Sequence, residues 1–477
     1  MNRLIHTLGQ LERFALSVKD VVWRLTTRDR YMLLLILFCA ALLRMLMLEH
    51  PGVTQFDEVI YTNYALHMLH QTPLMDIHPP LVRMLFAEIA RPQGPFQIEW
   101  IPIAVGQSFG DFPYVFVRFF VSCFGVLLPL LVYGISRALG SAPRVALLPA
   151  LFVVFDSALV VYSRTILPDT LLLCFEFAAL LAALCLVRTK GKRLVFTLII
   201  LTGITIGCAL STKWTALGMF GVITLLLLMH KRFVSLAAVG VLAALVYVGV
   251  FVAFFNSFPM GGKTVSPIST IAAPWIKIID FPKPESLSAV LNFLPSYHKA
   301  MLAAEYDPYV LHGTLKAPGA YSWPAAQSMM QFWSDQDDVA SHQVHLQKGG
   351  SYILMAGNSF LWVTVLFAFI FECGWIFINS LMQRKIMANK YELLLIIGYL
   401  ANFMPFFFIH RPMYLYHYFT ALLFLFLLVP YALPRIRHCI ELVTRDKWFS
   451  YVFIAAALML VVINFIINLP VTYGFLW

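Results

Sequence analysis

Two adjacent carboxylates, Asp57 and Glu58 in GVTQFDEVIYTNYALHM, follow the almost wholly apolar run YMLLLILFCAALLRMLMLEHP. A carboxylate at such a boundary can act as general base toward a hydroxyl. Further ionisable residues stand at the ends of other apolar runs. They are Asp76, His78 and Arg83 in MDIHPPLVRM; Arg118; Asp156, Arg164 and Asp169 in FDSALVVYSRTILPDTLL; Lys213 in ALSTKWTALG; and His410, Arg411 and His417 in FIHRPMYLYHYFT. Ionisable groups in or beside a membrane are costly, so they are functional candidates by default. A structural ion-pair network produces the same pattern. Arg and Lys at a lipid interface suit a phosphate or pyrophosphate. A base beside such cations describes group transfer from a lipid-phosphate donor to an acceptor outside the cytoplasm. Nucleotide sugars are absent there, which makes a lipid-linked sugar the natural donor.

The elements that must position these residues are membrane spans. The chain of 477 residues is 60% hydrophobic and 12% charged, with mean hydropathy +0.80, too few charges to cover a soluble protein of this size. The expected class is an all-α polytopic membrane protein. Eleven segments have the apolar character of a span: 31–49, 115–136, 145–162, 166–187, 194–210, 215–229, 233–255, 352–381, 391–409, 413–433 and 449–469. With the N-terminus in the cytoplasm, every cluster of Lys and Arg in the short loops falls on one side, from Arg24, Arg28 and Arg30 through Arg188, Lys190, Lys192 and Arg193 to Arg435, Arg437, Arg445 and Lys447. The C-terminus then lies on the opposite face. This placement accounts for the net charge of +10 without nucleic acid. Residues 1–30 are expected to be a cytoplasmic segment whose Leu4, Leu8, Leu11, Phe14, Val18 and Val22 line an amphipathic helix. Residues 31–477 are expected to be one membrane domain with non-cytoplasmic loops 50–114 and 256–351. A helix on the membrane surface is expected around Val59 to Leu69.

The quoted motifs resemble the protein O-mannosyltransferase family. FDEVIYTNYA with DIHPPLVRM is similar to its Asp-Glu pair and its His-Pro-Pro-Leu with a basic residue, Arg83 standing where the family usually has Lys. FDSALVVYSRTILPDTLL, GCALSTKWTALG and RPMYLYHYFTAL are similar to three later family segments, in family order along most of the chain. The resemblance implies a GT-C fold of about 11 spans, N-terminus cytoplasmic and C-terminus periplasmic. It implies that Asp57 is the catalytic base, that Glu58 orients the acceptor or a neighbouring cation, and that the sugar C1 is inverted. Arg118, Arg164, Lys213 and Arg411 are the expected holders of the donor phosphate. His78, Arg83, Asp169, Tyr416 and His417 are expected to shape the cleft. Eukaryotic members carry a β-trefoil insert that a loop of about 96 residues cannot house, so the chain resembles the bacterial type.

The function these readings imply is transfer of a sugar, foremost mannose, from a polyprenyl phosphate to Ser or Thr of extracytoplasmic proteins at a bacterial inner membrane. The alternative keeps the fold and transfers a sugar or aminosugar to lipid A, another lipid or an envelope glycan. A transporter without covalent chemistry is the third reading; the absence of internal repeats counts against it. No cofactor is implied, and a dimer is compatible with the resemblance. His342 and His345 in SHQVHLQ share a helical spacing, but no second ligand pair accompanies them, so no metal site is expected. The seven Cys lie in apolar runs or in a basic loop, so no disulfide framework is expected.

Overall fold

Each of the eleven apolar segments holds a helix, since a buried or lipid-facing backbone must satisfy its own hydrogen bonds. The computed structural model describes residues 27–96, 104–263, 280–283, 286–305, 319–335, 350–384, 388–409 and 413–475. The N-terminal amphipathic segment, Arg411, His342 and His345 lie outside the described residues. In chain order the helices are α1 (Thr27–Met45), α2 (Glu58–Leu69), α3 (Leu81–Ala90), α4 (Tyr114–Ala138), α5 (Pro143–Val154), α6 (Ser157–Ser163), α7 (Asp169–Arg188), α8 (Lys192–Leu210), α9 (Leu217–Met229), α10 (Phe233–Asn256), α11 (Leu287–Glu305), α12 (Ser359–Gln383), α13 (Lys390–Phe403), α14 (Phe419–Thr444), α15 (Lys447–Ile467) and α16 (Leu469–Tyr473). Among the described residues, seven helices are long and apolar enough to cross a membrane, or eight if the bent pair α5 and α6 counts as one. The protein is a multi-pass membrane protein with a mostly helical GT-C fold.

Packing follows the distribution of side chains. Helix α7 is apolar nearly all round and buried along most of its length, so it sits in the middle of the bundle. Helices α10 and α15 expose most of their apolar residues, as lipid-facing helices do. Gly203 and Gly207 let α8 approach α10 closely. A Cβ at either would lie 2.6 Å from Leu242 or 2.7 Å from Val246, so small residues at this spacing bring the two backbones together.

Three expectations are corrected. Segment 145–162 is not one straight helix but breaks by 63° between α5 and α6. Asp156 caps α6 through Leu159 N–H at 2.9 Å and accepts from Trp362 Nε1. Asn358 Nδ2 donates to the Phe155 carbonyl freed by the break, at 2.9 Å. Asp156 is therefore used inside the helix bundle, which makes an irregular backbone tolerable at that depth. Segment 352–381 begins as strand β4 (Tyr352–Met355), and its helix starts only at Ser359, capped by Asn358. Strand β4 pairs antiparallel with β3 (Met330–Ser334), as β2 (Asp280–Phe281) does with β1 (Gly262–Lys263). The helix expected over Val59 to Leu69 exists as α2, but ten of its twelve residues are buried, so it packs into the protein and presents no broad apolar face to lipid.

Candidate functional site

The loop from Val53 to Glu58 is held on both sides. Thr54 N–H donates to Gln107 O at 2.8 Å, and Phe56 N–H donates to Phe332 O of β3 at 2.9 Å. Phe56 has φ +39°, in the left-handed region that non-glycine residues enter at a cost. Its ring stacks on Phe332 at 4.8 Å and meets Tyr414 and Tyr416 edge-on. The large loop's hairpin thus sets the backbone immediately before Asp57.

Glu58 is fully buried. Arg118 Nε donates to Oε1 at 2.9 Å and Nη2 to Oε2 at 2.7 Å, a bidentate pair. Ile166 N–H and Gln55 N–H complete the two oxygens at 2.9 and 3.0 Å. The remaining Arg118 donors go to the carbonyls of Leu48, Pro51 and Val53. All five N–H groups of Arg118 are spent within the protein, so it has none to offer a phosphate, contrary to expectation. Glu58 likewise has no free lone-pair direction and cannot serve as a base. The pair fixes the loop on which Asp57 sits.

Asp57 itself is half-buried. Its carboxylate makes no cap hydrogen bond, and no described residue pairs with it. Desolvation pushes its pKa up to about 7; Lys213 opposes the rise, and Asp169 and Asp76 add to it. It is therefore a carboxylate unpaired among the described residues and within electrostatic reach of a Lys–Asp pair, with the raised pKa a general base needs near neutrality.

That second pair lies on a cavity. Lys213 Nζ donates to Asp169 Oδ1 at 2.9 Å and Oδ2 at 2.7 Å, and sits 4.8 Å from the centre of the Tyr416 ring. Tyr162 O–H also donates to Asp169, at 2.7 Å. The loop that bears Lys213 is anchored from α11. His298 Nδ1–H donates to Leu294 O, so its Nε2 accepts from Tyr247 O–H, whose oxygen accepts from Trp214 Nε1–H. The His78 turn is tied to the same loop through Leu81 N–H donating to Ser211 O at 3.0 Å. The cavity, of about 510 Å³, gathers His78, Asp169, Lys213, Tyr416 and His417 at polar positions, with apolar walls from α7, α9 and α13. A shallow outer groove at Ile397, Leu400 and Met404 shares Ala401, Pro405 and Phe408 with it.

Two more expected site residues are elsewhere. Arg164 directs Nη1 to Leu46 O and Nη2 to Met47 O at 3.0 Å, closing the carbonyl end of α1, with its guanidinium over Tyr473. It is not placed to hold a phosphate. Arg83 is buried between Phe254 and Tyr64, 3.6 Å from Asp76, and donates to Tyr297 O–H of α11 at 3.1 Å. It anchors α11 and does not line the cavity. The sequence reading also passed over Asn402, Thr420 and Glu176. The first two line the cavity, and the third holds Thr420. Glu176 was discoverable as a lone carboxylate inside an apolar run. Asn402 and Thr420 carry no charge to mark them.

The fold and the cavity together define a GT-C glycosyltransferase architecture. The S. cerevisiae protein O-mannosyltransferase Pmt1-Pmt2 complex, solved with its sugar donor, superposes with TM-score 0.77 over 97% of this chain and 92% of that one, at 17% identity. ArnT from Cupriavidus metallidurans, solved with undecaprenyl phosphate, superposes with TM-score 0.50 over 92% of this chain and 70% of that one, at 13% identity. The family model described as dolichyl-phosphate-mannose-protein mannosyltransferase matches residues 33–260, and that of the C-terminal four TMM region of protein-O-mannosyltransferase matches 296–477. The chain belongs to the protein O-mannosyltransferase family. Dolichyl-phosphate-mannose–protein mannosyltransferase 1 of Candida albicans is 33% identical over 40% of this chain and 22% of its own length. The Saccharomyces cerevisiae protein of the same name is 32% identical over 40% and 24%. The chain spans about a quarter of the length of these relatives.

Proposed function

We propose that this protein transfers a mannosyl group from a polyprenyl-phosphate donor to Ser or Thr hydroxyls of proteins on the non-cytoplasmic face of a bacterial inner membrane. The observation that carries the reading is Asp57, a carboxylate with no partner among the described residues, within electrostatic reach of the cavity-lining Lys213 and fixed from behind by the saturated Glu58–Arg118 pair. Asp57 takes the proton of the acceptor hydroxyl as its oxygen attacks C1 of the sugar. The C1–O bond to the phosphate breaks, its electrons stay on the phosphate oxygen, and attack from the opposite face inverts the centre. Lys213 stabilises the charge that develops on the leaving phosphate. Asp169 orients Lys213, and His78, Tyr416 and His417 line the cleft. Arg411 is a second phosphate ligand in this reading, supported by its sequence context alone. The prenyl chain leaves along the apolar groove of Leu400 and Met404. The N-terminal segment lies on the cytoplasmic face and the C-terminus on the active-site face in this reading, which the Lys and Arg distribution supports.

The test is turnover of polyprenyl-phosphate-mannose with a Ser/Thr-rich peptide by the purified protein in nanodiscs. Mannosylated peptide is expected, reduced by about 10²–10⁴-fold in Asp57→Asn. Transfer to a lipid or glycan acceptor and none to peptide would reassign the acceptor. Transport without any transfer would overturn the reading.

A further inference from the structure

Helix α7 carries a second carboxylate that the proposed reaction does not use. Glu176 follows Asp169 by seven residues, two helical turns, so both project from one face of the helix. It is fully buried. Its Oε2 accepts a hydrogen bond from Thr420 Oγ1 at 2.7 Å, and its Oε1 has no partner. Neither an ion pair nor a helix cap accounts for a carboxylate at this depth, where one is costly. Its hydrogen-bond partner, Thr420, lines the cavity one turn beyond Tyr416, the ring that faces Lys213.

A threonine hydroxyl has one proton to give and two lone pairs. Giving that proton to Glu176 leaves Thr420 only acceptor capacity toward the cavity. It can receive an O–H from a ligand, and it has nothing to offer a phosphate oxygen. Lys213 is the converse, a group of donors without lone pairs. Lys213 thus brings only donors to the cavity, and Thr420 brings it an acceptor. We infer that Thr420, oriented by Glu176, is a specificity-determining subsite that reads a hydroxyl of the sugar carried on the lipid phosphate. Thr420 touches the ligand, and Glu176 is a positioning residue acting through it. The inference rests on the mannosyl-transfer reading and adds which part of the donor this end of the cavity recognises.

The experiment compares binding of two probes, polyprenyl phosphate and polyprenyl-phosphate-mannose, to the full chain in nanodiscs. The wild type is expected to bind the mannose-bearing probe more tightly. Thr420→Val is expected to weaken that probe about tenfold, a single hydrogen bond's contribution, and to leave the bare phosphate unchanged. Thr420→Ser keeps the hydroxyl and restores the preference. In Glu176→Gln the amide can take either orientation, and with its N–H₂ toward Thr420 it donates to the hydroxyl and turns the hydroxyl proton toward the cavity. The preference for the mannose-bearing probe then falls, while the bare phosphate binds as well or better. A Thr420→Val protein that loses both probes equally, or neither, overturns the subsite. Wild type that binds neither probe overturns the mannosyl-transfer reading and the subsite together. Wild type that binds both probes equally, with Thr420→Val unchanged, overturns the subsite alone. If Glu176→Gln does not fold, the valine and serine variants still decide.

Discussion

Two carboxylate–cation pairs stand close to Asp57, Glu58 with Arg118 and Asp169 with Lys213, and they are built in opposite ways. In the first, every lone-pair direction and every N–H is matched inside the protein: four hydrogen bonds reach Glu58, and five N–H groups leave Arg118. In the second, the Lys213 ammonium rests on Asp169 and on a π-face, and both residues line an open cavity. A buried ion pair overcomes its desolvation cost only when its remaining valences are satisfied. The first pair meets that condition and is spent on shape. The second leaves valence directed at the cavity and is available to a ligand. Asp57 takes its backbone position from one pair and its electrostatic setting from the other.

The largest effect is expected from breaking the first pair. Arg118→Met leaves Glu58 buried with two donors lost and should cost about 3–5 kcal/mol of stability. Thermal unfolding in detergent checks it, and activity should fall with the folded fraction. Restoration by a second change, Glu58→Gln, would show that the stranded charge is the cause. If Arg118→Met keeps its melting temperature and loses only donor binding, Arg118 is a phosphate ligand after all and the contrast fails.

Breaking the second pair should separate activity from stability. Lys213→Met is expected to lower kcat by about 10²–10³-fold, as loss of one electrostatic stabiliser of a developing anion does. Its loss of stability should be less than half that of Arg118→Met, because Asp169 keeps Tyr162 and can be reached by water in the cavity. Initial rates and melting curves on the same preparations decide this.

A smaller effect sharpens the link between the pairs. A general base works deprotonated, so activity should fall as pH drops through about 7, the value to which burial pushes Asp57. Lys213 holds that pKa down, so in Lys213→Met the acid limb of the residual activity should move to higher pH. A profile that does not move would uncouple Asp57 from the second pair.

The distinction between the pairs was only partly legible in the sequence. Each of the eleven segments read from hydropathy holds a helix, since apolar length is written directly into composition, but among the described residues only seven or eight are long and apolar enough to span, and α3 and α11 in the long loops were not read. His78, Asp169, Lys213, Tyr416 and His417 were singled out by type and do converge. Arg118 and Arg164 were misread because a guanidinium suits a phosphate and a row of carbonyls equally well; which one it meets depends on where α1 ends, a tertiary fact. The break at Asp156 was hidden because an apolar run reads the same whether it is straight or bent. Thr420 could not be found before Glu176, and Glu176 sat unmarked in a run where a lone acid should have been conspicuous.

The smallest effect tests the claim that Asp57 is held for chemistry at some cost to the fold. Its carboxyl binds a proton more tightly in the folded protein than in the unfolded chain, whose carboxyl titrates near 3.8. Folding is therefore favoured most below that value, and the advantage is lost as pH rises through about 7. Above pH 7 the native state carries a poorly solvated charge that Asn would remove. Asp57→Asn should thus melt about 1–2 °C higher than wild type at pH 8 and at the same temperature near pH 4, while having lost its activity. Glu58→Gln, one residue on, should melt lower at pH 8, since it removes half of a saturated pair. The opposite signs at neighbouring positions are the sharpest form of the contrast. Asp57→Asn melting lower than wild type at pH 8 would mean that Asp57, too, is structural.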